Sequence, residues 1–257
     1  MTSAVTDSQR VPETKPKSEK KFIFRLIAAI VLPAMYFLAR FRLEGTENVP
    51  KSGAFVLAPN HYSNIDPLVV AVSIWNLDRV PRFMAKASLF RIPVAGWLLK
   101  KAEQIPVERT GTDRAHDPMA MAKKVVEQGY AVVIYPEGTL TREPNSWPMR
   151  GKHGAVRMAL AAGIPLIPAA SWGALQILPR YSKRLSLFPR KDVTVRFGAP
   201  VDLSEFVGKP LDSVELAKAT KKLMDAVTAE VERLRGEKAP AERWDPAKHG
   251  QSEVGRF

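Results

Sequence analysis

Short apolar runs alternate along the chain with longer segments in which apolar residues recur at helical spacing. The runs predict strands over 54–59, 82–85, 105–109, 131–135, 164–170 and 193–197, after a first short strand that follows Arg42. The helical spacing predicts helices over 66–76, 119–128 and 154–162, and a long amphipathic helix from Asp212 or Ser213 to about Leu234. Strands and helices in alternation are typical of an α/β domain. We therefore expect a single α/β domain with a mostly parallel or mixed central sheet flanked by helices, and active-site loops at the strand ends.

Changes in composition divide the chain into four segments. Residues 1–21 are polar and basic, and residues 236–257 are also polar, so both are expected to be disordered tails. The α/β domain is expected to cover 43–235. Residues 22–42 are predicted to form a membrane-associated helical segment.

The prediction for 22–42 depends on the length and the flanks of its apolar run. Leu26 to Ala39 is uncharged and would span roughly 21 Å as a helix, which is short of the ~30 Å hydrocarbon core of a bilayer. Basic residues flank both ends, so the charge asymmetry that orients a spanning helix is missing. We expect a monotopic helix, or a kinked pair, that lies in one leaflet with its Lys and Arg residues on lipid phosphates. A single span is the alternative.

The net charge of the chain indicates what kind of partner it binds. The chain of 257 residues carries a formal net charge of +13 and has 46% hydrophobic and 25% charged residues, which is a globular composition with a basic surface. Such a surface indicates an anionic partner, namely nucleic acid, a phosphate-bearing substrate or acidic lipid. The chain has no cysteine, which excludes a thiolate nucleophile, a disulfide and a cysteine-ligated metal.

The turn after the strand 54–59 carries the candidate catalytic residues. His61 follows the strand, and Asp66 precedes Pro67 at the predicted start of the next helix. A carboxylate that folds back onto an imidazole fixes its tautomer and stabilises the imidazolium, so His61 is a candidate general base. The alternative is that Asp66 is only a helix cap and His61 is structural.

Four blocks, in order, resemble the motifs of one family. Asn60-His61-x4-Asp66 resembles the His-x4-Asp motif of the glycerolipid acyltransferases, the family of 1-acylglycerol-3-phosphate O-acyltransferase. The other blocks lie at 105–109, 135–142 and 164–169. The resemblance implies an acyltransferase domain over 43–235 that makes phospholipid on the cytoplasmic face of the cell membrane, bound peripherally or monotopically through 22–42.

The second and third blocks imply substrate contacts. By the resemblance, Arg109 would clamp the phosphate of a lysolipid acceptor. Glu137 would orient a substrate hydroxyl or a neighbouring cation, and the turn at Gly138 and Thr139 would bring backbone N–H groups close to the ligand.

The third block departs from the family at one position. Leu140 stands where an arginine is common, although Arg142 matches a second basic position. Arg142 or Lys152 is therefore expected to take over the phosphate contacts.

The resemblance implies direct acyl transfer. His61, steadied by Asp66, would deprotonate a lysophospholipid hydroxyl as it attacks the thioester of acyl-CoA or of acyl carrier protein. The acceptor is expected to be 1-acylglycerol 3-phosphate, giving phosphatidic acid, with glycerol 3-phosphate or a glycolipid as alternatives. No cofactor and no metal are expected. The expected partners are anionic membrane lipids, the acyl donor and the acceptor, but not nucleic acid.

Three other classes fit parts of the sequence. Ser171-Trp172-Gly173 half-resembles the nucleophile elbow of a serine hydrolase, whose histidine would have to be His249. Net charge alone would suit a nucleic-acid-binding protein, but no binding module is present. A metal hydrolase would need His61, Asp66 and Glu137 as metal ligands, and this number of ligands is low for a zinc site.

Overall fold

The computed structural model describes residues 19–107 and 118–252 of the chain. The strands within these ranges are β1 (Ala39–Glu44), β2 (Phe55–Pro59), β3 (Pro81–Lys86), β4 (Ile105–Val107), β5 (Ala131–Val133), β6 (Leu166–Trp172) and β7 (Lys191–Phe197). The helices are α1 (Phe22–Leu38), α2 (Asp66–Trp75), α3 (Pro93–Lys101), α4 (Pro118–Gln128), α5 (Gly154–Ala162), α6 (Ala174–Ile177) and α7 (Ser213–Arg235).

The strands form one sheet in the order β1-β7-β6-β2-β5-β3-β4. Neighbouring strands run parallel except β6 and β7, which are antiparallel. Because the predicted helices follow the predicted strands on both faces of this sheet, the expectation of a single α/β domain with a mostly parallel sheet is confirmed.

The side chains of the central strand β2 are buried on both faces of the sheet. Phe55 and Leu57 pack in a cluster with α2 and α6, whereas Val56 and Ala58 pack in a second cluster with α4, α5 and α7. A strand with helices on both sides has no polar face, which explains why β2 is uniformly apolar in the sequence.

The helix α7 follows the predicted amphipathic pattern. Its N-cap Asp212 accepts hydrogen bonds from the backbone N–H groups of Val214 and Glu215, and the helix ends at Gly236, whose φ is +67°. Its predicted apolar positions are buried at Leu216, Leu223, Val227 and Val231.

The predicted helical segment 22–42 contains a helix and most of a strand. Helix α1 ends at Leu38, and Ala39 to Arg42 belong to β1, which pairs in parallel with β7. The alternation of charged and apolar residues in 39–43 has the period of a strand, and it overrides the continuation of the helix. Among the residues that the structure describes, no helix is long and apolar enough to cross a membrane.

Both predicted tails are ordered where the structure describes them. Glu19 pairs with the guanidinium of Arg79 at 2.6 Å, which ties the start of the described chain to the domain. Residues 236–252 form an extension that packs on the domain, because Arg243 pairs with Asp225 at 2.9 Å and the carbonyl of Trp244 accepts the N–H of Arg150 at 2.9 Å. Within the extension, the Trp244 ring stacks on His249 at 3.5 Å. Residues 1–18 and 253–257 lie outside the described ranges.

Candidate active site

The register of the sheet brings two distant loops together. Leu57 of β2 pairs with Val133 of β5, so the turn around His61 and the loop from Tyr135 leave the sheet side by side at its carboxyl edge. This edge is where sites form in parallel α/β sheets.

The predicted pair of His61 and Asp66 is formed. The Nδ1 atom of His61 lies 2.9 Å from Oδ2 of Asp66, whose side chain is fully buried. The same oxygen accepts the backbone N–H groups of Tyr62 at 2.7 Å and Ser63 at 2.8 Å. Asp66 is the first residue of α2 and bonds backward to the turn, so it orients the histidine rather than acting as an ordinary N-cap. An imidazole that donates Nδ1–H to a carboxylate keeps Nε2 as an acceptor.

The ring of Tyr135 covers one face of His61. The two rings stack with centroids 4.1 Å apart and planes inclined at 26°. Burial, with a contribution from the negative charge of Asp66, raises the pKa of the Tyr135 hydroxyl well above its usual range. The phenol is therefore neutral beside the imidazole.

Glu137 holds the histidine turn in place through the backbone. Its buried carboxyl group accepts the N–H of His61 at 2.9 Å and the N–H of Met149 at 3.0 Å. Burial raises its pKa to about 8. Glu137 was predicted to contact substrate, but both of its oxygens bind backbone groups and it lies outside the walls of the adjacent cavity. The loop after β5 makes one more contact with the histidine segment, because Thr141 N–H donates to the carbonyl of His61 at 2.6 Å.

A cavity of about 890 Å³ opens at His61. Gly138, Thr139 and Lys152, three of the predicted substrate-binding residues, line it together with the histidine. Gly138 has a φ of +71°, and a Cβ there would lie 3.2 Å from Cδ of Lys152, so this position favours glycine. The rest of the wall is mostly apolar and comes largely from α1, α2, β3 and α3, although Asn64, Lys86 and Gln104 also line it.

Of the other predicted phosphate ligands, Arg142 is not brought to the cavity. Arg142 is buried, donates to Ser252 in the C-terminal extension at 3.4 Å and does not line the cavity. Leu140 does line the cavity, at the position where the family often has arginine. Arg109 lies outside the described residues.

Two supports of the site were missed in the sequence. Asn60 and Ser171 exchange hydrogen bonds, with Ser171 N–H donating to Oδ1 of Asn60 at 2.8 Å, which fixes the histidine turn to β6. Arg180 donates to the carbonyls of Thr141 and Glu143 at 2.7 and 2.8 Å, which fixes the loop after β5. The partners of each pair are far apart along the chain, so no local pattern marked either of them.

The rival chemistries find no matching geometry in the described residues. The Ser171 side chain is fully buried in β6 beside the hydroxyl of Tyr62, and His249 is stacked on Trp244 in the C-terminal extension. His153 bonds Thr220 through Nδ1 at 2.9 Å. Within 19–107 and 118–252, no group of three or more His, Cys, Asp or Glu side chains could hold a metal ion.

The chain is similar in sequence to known proteins. A model of the acyltransferase family, described as "Acyltransferase", matches residues 40–172. A "1-acyl-sn-glycerol-3-phosphate acyltransferase" of Bacillus subtilis is 32% identical over 64% of this chain and 75% of its own length. The chloroplastic "1-acyl-sn-glycerol-3-phosphate acyltransferase BAT2" of Brassica napus is 28% identical over 70% of this chain, and the match spans 49% of that relative, about half its length.

A solved structure agrees with the fold. The crystal structure of "the 1-acyl-sn-glycerophosphate (LPA) acyltransferase, PlsC, from Thermotoga maritima" superposes with a TM-score of 0.63, covering 86% of this chain and 83% of that one at 24% identity. The matched family region contains β2, the His61–Asp66 pair and the loop after β5. The chain therefore belongs to the acyltransferase family.

Proposed function

We propose that this protein transfers a fatty acyl chain from a thioester donor to the free hydroxyl of 1-acylglycerol 3-phosphate, giving phosphatidic acid. The observation that carries the proposal is the contact between His61 and the buried Asp66 at a large, mostly apolar cavity. The named activities of the Bacillus and Brassica relatives support this choice of acceptor over glycerol 3-phosphate or a glycolipid.

His61 acts as the general base. Its Nε2 takes the proton of the acceptor hydroxyl while the oxygen attacks the thioester carbonyl carbon, and Asp66 stabilises the imidazolium that forms. The tetrahedral intermediate collapses with cleavage of the carbon–sulfur bond, and the imidazolium gives its proton to the leaving thiolate. The products are the new ester and a free thiol, so the histidine is regenerated without a covalent enzyme intermediate. The loop at Gly138–Thr139 and the Lys152 ammonium line the same cavity and are suited to stabilising the negative charge.

The cavity suits a lipid substrate. Side chains of α1 and α3 line its apolar part, and these include Phe24, Ile27 and Leu98. An acyl chain buried there gains the transfer free energy of its methylene groups, about 0.8 kcal/mol for each. Lys152 would meet the acceptor phosphate, and Arg109 remains a candidate second phosphate ligand.

We further propose that the enzyme works on the membrane surface, through α1. Phe22, Leu26 and Ile30 recur every four residues and are half to four-fifths exposed, so α1 presents an apolar stripe away from the domain. Val94 and Trp97 of α3 are also exposed. These helices line the cavity, so acceptor lipid would pass from the bilayer to His61 without crossing water.

The test is acyl transfer from palmitoyl-CoA and from palmitoyl-carrier protein by the purified protein in mixed micelles. Lysophosphatidate, glycerol 3-phosphate and a neutral lysolipid are offered in parallel. We expect lysophosphatidate to be the acylated acceptor. Faster transfer to another acceptor would overturn the substrate assignment, and no transfer from either donor would overturn the acyltransferase mechanism for this chain.

A further inference from the structure

The loop between α6 and β7 exposes both apolar and basic side chains. This loop, residues 178–190, is called the basic loop below, and the chain has no aspartate or glutamate from Gly173 to Lys191. Its large exposed apolar side chains include Leu185, Leu187 and Phe188. Its exposed cations include Lys183, Arg184 and Arg190. None of these three apolar side chains belongs to a core cluster of the described residues, so their exposure stabilises no part of the domain.

The positive charge of the basic loop is not balanced by acidic groups. Within 19–107 and 118–252, neither Lys183 nor Arg184 pairs with a carboxylate. The Nε atom of Arg190 donates to the carbonyl of Ala39 at 3.1 Å, a contact that fixes the side chain but leaves its charge uncompensated. A cluster of such cations creates a positive potential that attracts an anionic surface.

The sheet places the basic loop at the edge that carries the candidate active site. Strand β6 runs parallel to β2, so its end at Trp172 lies at the carboxyl edge from which the histidine turn leaves. Strand β7 is antiparallel to β6 and therefore begins at that edge. Ala39 pairs with Lys191, so α1 also ends there. The His61 turn, the end of α1 and the basic loop thus share one side of the molecule.

The apolar surface of the basic loop continues that of α1. Phe37 follows Ile30 by two helical turns and is exposed, so it extends the apolar stripe toward the end of the helix. Its ring contacts the ring of Phe188 edge to face, with centroids 5.3 Å apart. Because Phe188 is itself 71% exposed, one apolar surface runs from the helix onto the loop.

We propose that the basic loop is a second lipid-contact site, in which its three exposed apolar side chains enter an anionic leaflet while Lys183 and Arg184 bind lipid phosphates. The inference rests on the proposed work of the enzyme at the membrane surface through α1. Apolar side chains beside basic ones suit the boundary between acyl chains and headgroups. An acidic protein would satisfy the cations alone, whereas a bilayer covers the loop and the α1 stripe as one surface.

A second contact fixes how the enzyme sits on the bilayer. A helix that lies in one leaflet leaves the domain free to rotate about the helix axis, and a contact away from that axis removes this freedom. The basic loop is joined directly to the histidine turn, because Oγ of Ser63 donates to the carbonyl of Leu178 at 2.6 Å. Contact of the loop with lipid therefore holds the edge that carries His61 against the bilayer.

A label on the loop tests its insertion without any catalysis. The chain has no cysteine, so one introduced cysteine places an environment-sensitive fluorophore at a chosen position of the full chain. Leu187→Cys labels the basic loop, and Val207→Cys labels an exposed apolar position in the loop before α7 as the control. With vesicles of phosphatidylglycerol and phosphatidylcholine, we expect a blue shift and quenching by nitroxide-labelled lipid at the first position but not at the second.

A charge comparison tests the lipid phosphates. Lys183→Gln with Arg184→Gln removes two cations from the basic loop. The control, Lys124→Gln with Arg157→Gln, removes an exposed lysine and arginine that pair with no carboxylate of the described chain and lie on α4 and α5, across the sheet from α1. In vesicle sedimentation we expect the loop variant to raise the Kd for phosphatidylglycerol vesicles roughly tenfold or more, and the control to change it less than about twofold.

The outcomes separate this inference from the proposed function. Equal spectra of the two labels with vesicles, or equal weakening by the two double variants, would overturn the lipid contact. A blue shift of the Leu187→Cys label with an acidic carrier protein, but not with vesicles, would assign the loop to a protein partner instead. Insertion of the loop by a protein that transfers no acyl chain would overturn the proposed function and leave the lipid contact standing.

Discussion

His61 is fixed by three contacts from two other parts of the chain. Asp66 binds Nδ1, Tyr135 stacks on the ring, and Glu137 binds the backbone N–H. A base held in one orientation loses little entropy when the acceptor hydroxyl arrives, and this is a usual source of rate in enzymes. Two of the three contacts come from the loop after β5, more than seventy residues away in sequence.

Ser171→Ala separates direct transfer from a serine nucleophile. The Ser171 hydroxyl is buried beside the hydroxyl of Tyr62, whereas its backbone N–H, which alanine keeps, holds Asn60. We expect acyl-transfer activity within about twofold of the wild type and a loss of no more than about 1.5 kcal/mol in the free energy of unfolding, because the variant loses at most one neutral hydrogen bond. Complete loss of transfer in a folded variant would instead support the serine mechanism.

Glu137→Gln tests the buried carboxyl group through pH. Its pKa is raised to about 8 in the folded protein, above its ordinary value of 4.5. Between these values the folded state keeps a proton that the unfolded state releases, so the free energy of unfolding falls as pH rises. From pH 5.5 to 7.5 we expect the wild type to lose about 2 kcal/mol more than the variant in urea titrations. Parallel pH dependence of the two proteins would show that Glu137 does not titrate in this window.

At the residue scale, the sequence allowed a contact to be predicted where the two residues lie close together along the chain. His61 and Asp66 are five residues apart, and their contact could be predicted from a strand, a turn and a helix start. Glu137 was assigned to substrate, but a carboxyl group can only be assigned to backbone N–H groups once the packing of distant loops is known. The same limit applies to Arg142, because its contact with Ser252 joins residues that are 110 positions apart.

At the scale of elements, the apolar stripe of α1 is the clearest feature without a partner among the described residues. The uncharged apolar run predicted the helix and its start, but the helix ends at Leu38, because β1 pairs with β7 about 150 residues later. Long-range strand pairing of this kind leaves little local signal. The C-terminal extension was likewise taken for a disordered tail, because a single stacked tryptophan within a polar sequence has no periodicity.

Ile30→Asp tests the membrane face of α1. Ile30 is 69% exposed, and Val207, which is 71% exposed in a loop of the α/β domain, provides a matched control. We expect Ile30→Asp to weaken binding to anionic phospholipid vesicles by roughly tenfold or more, since the stripe loses apolar area and gains a like charge, with little change in Tm. Val207→Asp should bind vesicles like the wild type. Equal sedimentation of both variants with vesicles would remove α1 from the membrane contact.

At the scale of the whole molecule, one buried cation joins segments that the site depends on. Arg79 bonds Glu19 at 2.6 Å, the carbonyl of Pro50 at 2.6 Å, and the carbonyls of Gly53 and Gly129 at 2.7 Å each. These contacts connect the chain before α1, the loop before β2 and the turn before β5. The two strands that carry the catalytic loops are thus fixed at their amino ends as well.

Arg79→Met removes this connection. The variant leaves several carbonyl groups and a carboxylate without their donor, so we expect a loss of about 3–5 kcal/mol in the free energy of unfolding. Arg40→Met is the control, because Arg40 makes an exposed contact to Asp192 at 3.6 Å and should change stability by less than about 0.5 kcal/mol. Urea unfolding measures both. Similar small losses in the two variants would mean that Arg79 does not hold these segments.

The most direct test of the His61 mechanism is the rate of palmitoyl transfer to lysophosphatidate by His61→Ala. We expect kcat to fall by roughly 10²–10⁴-fold with little change in KM or Tm, because the base is lost while the cavity remains. Ser171→Ala, assayed beside it, should keep the wild-type rate. A folded His61→Ala variant that transfers palmitate at the wild-type rate would contradict the mechanism.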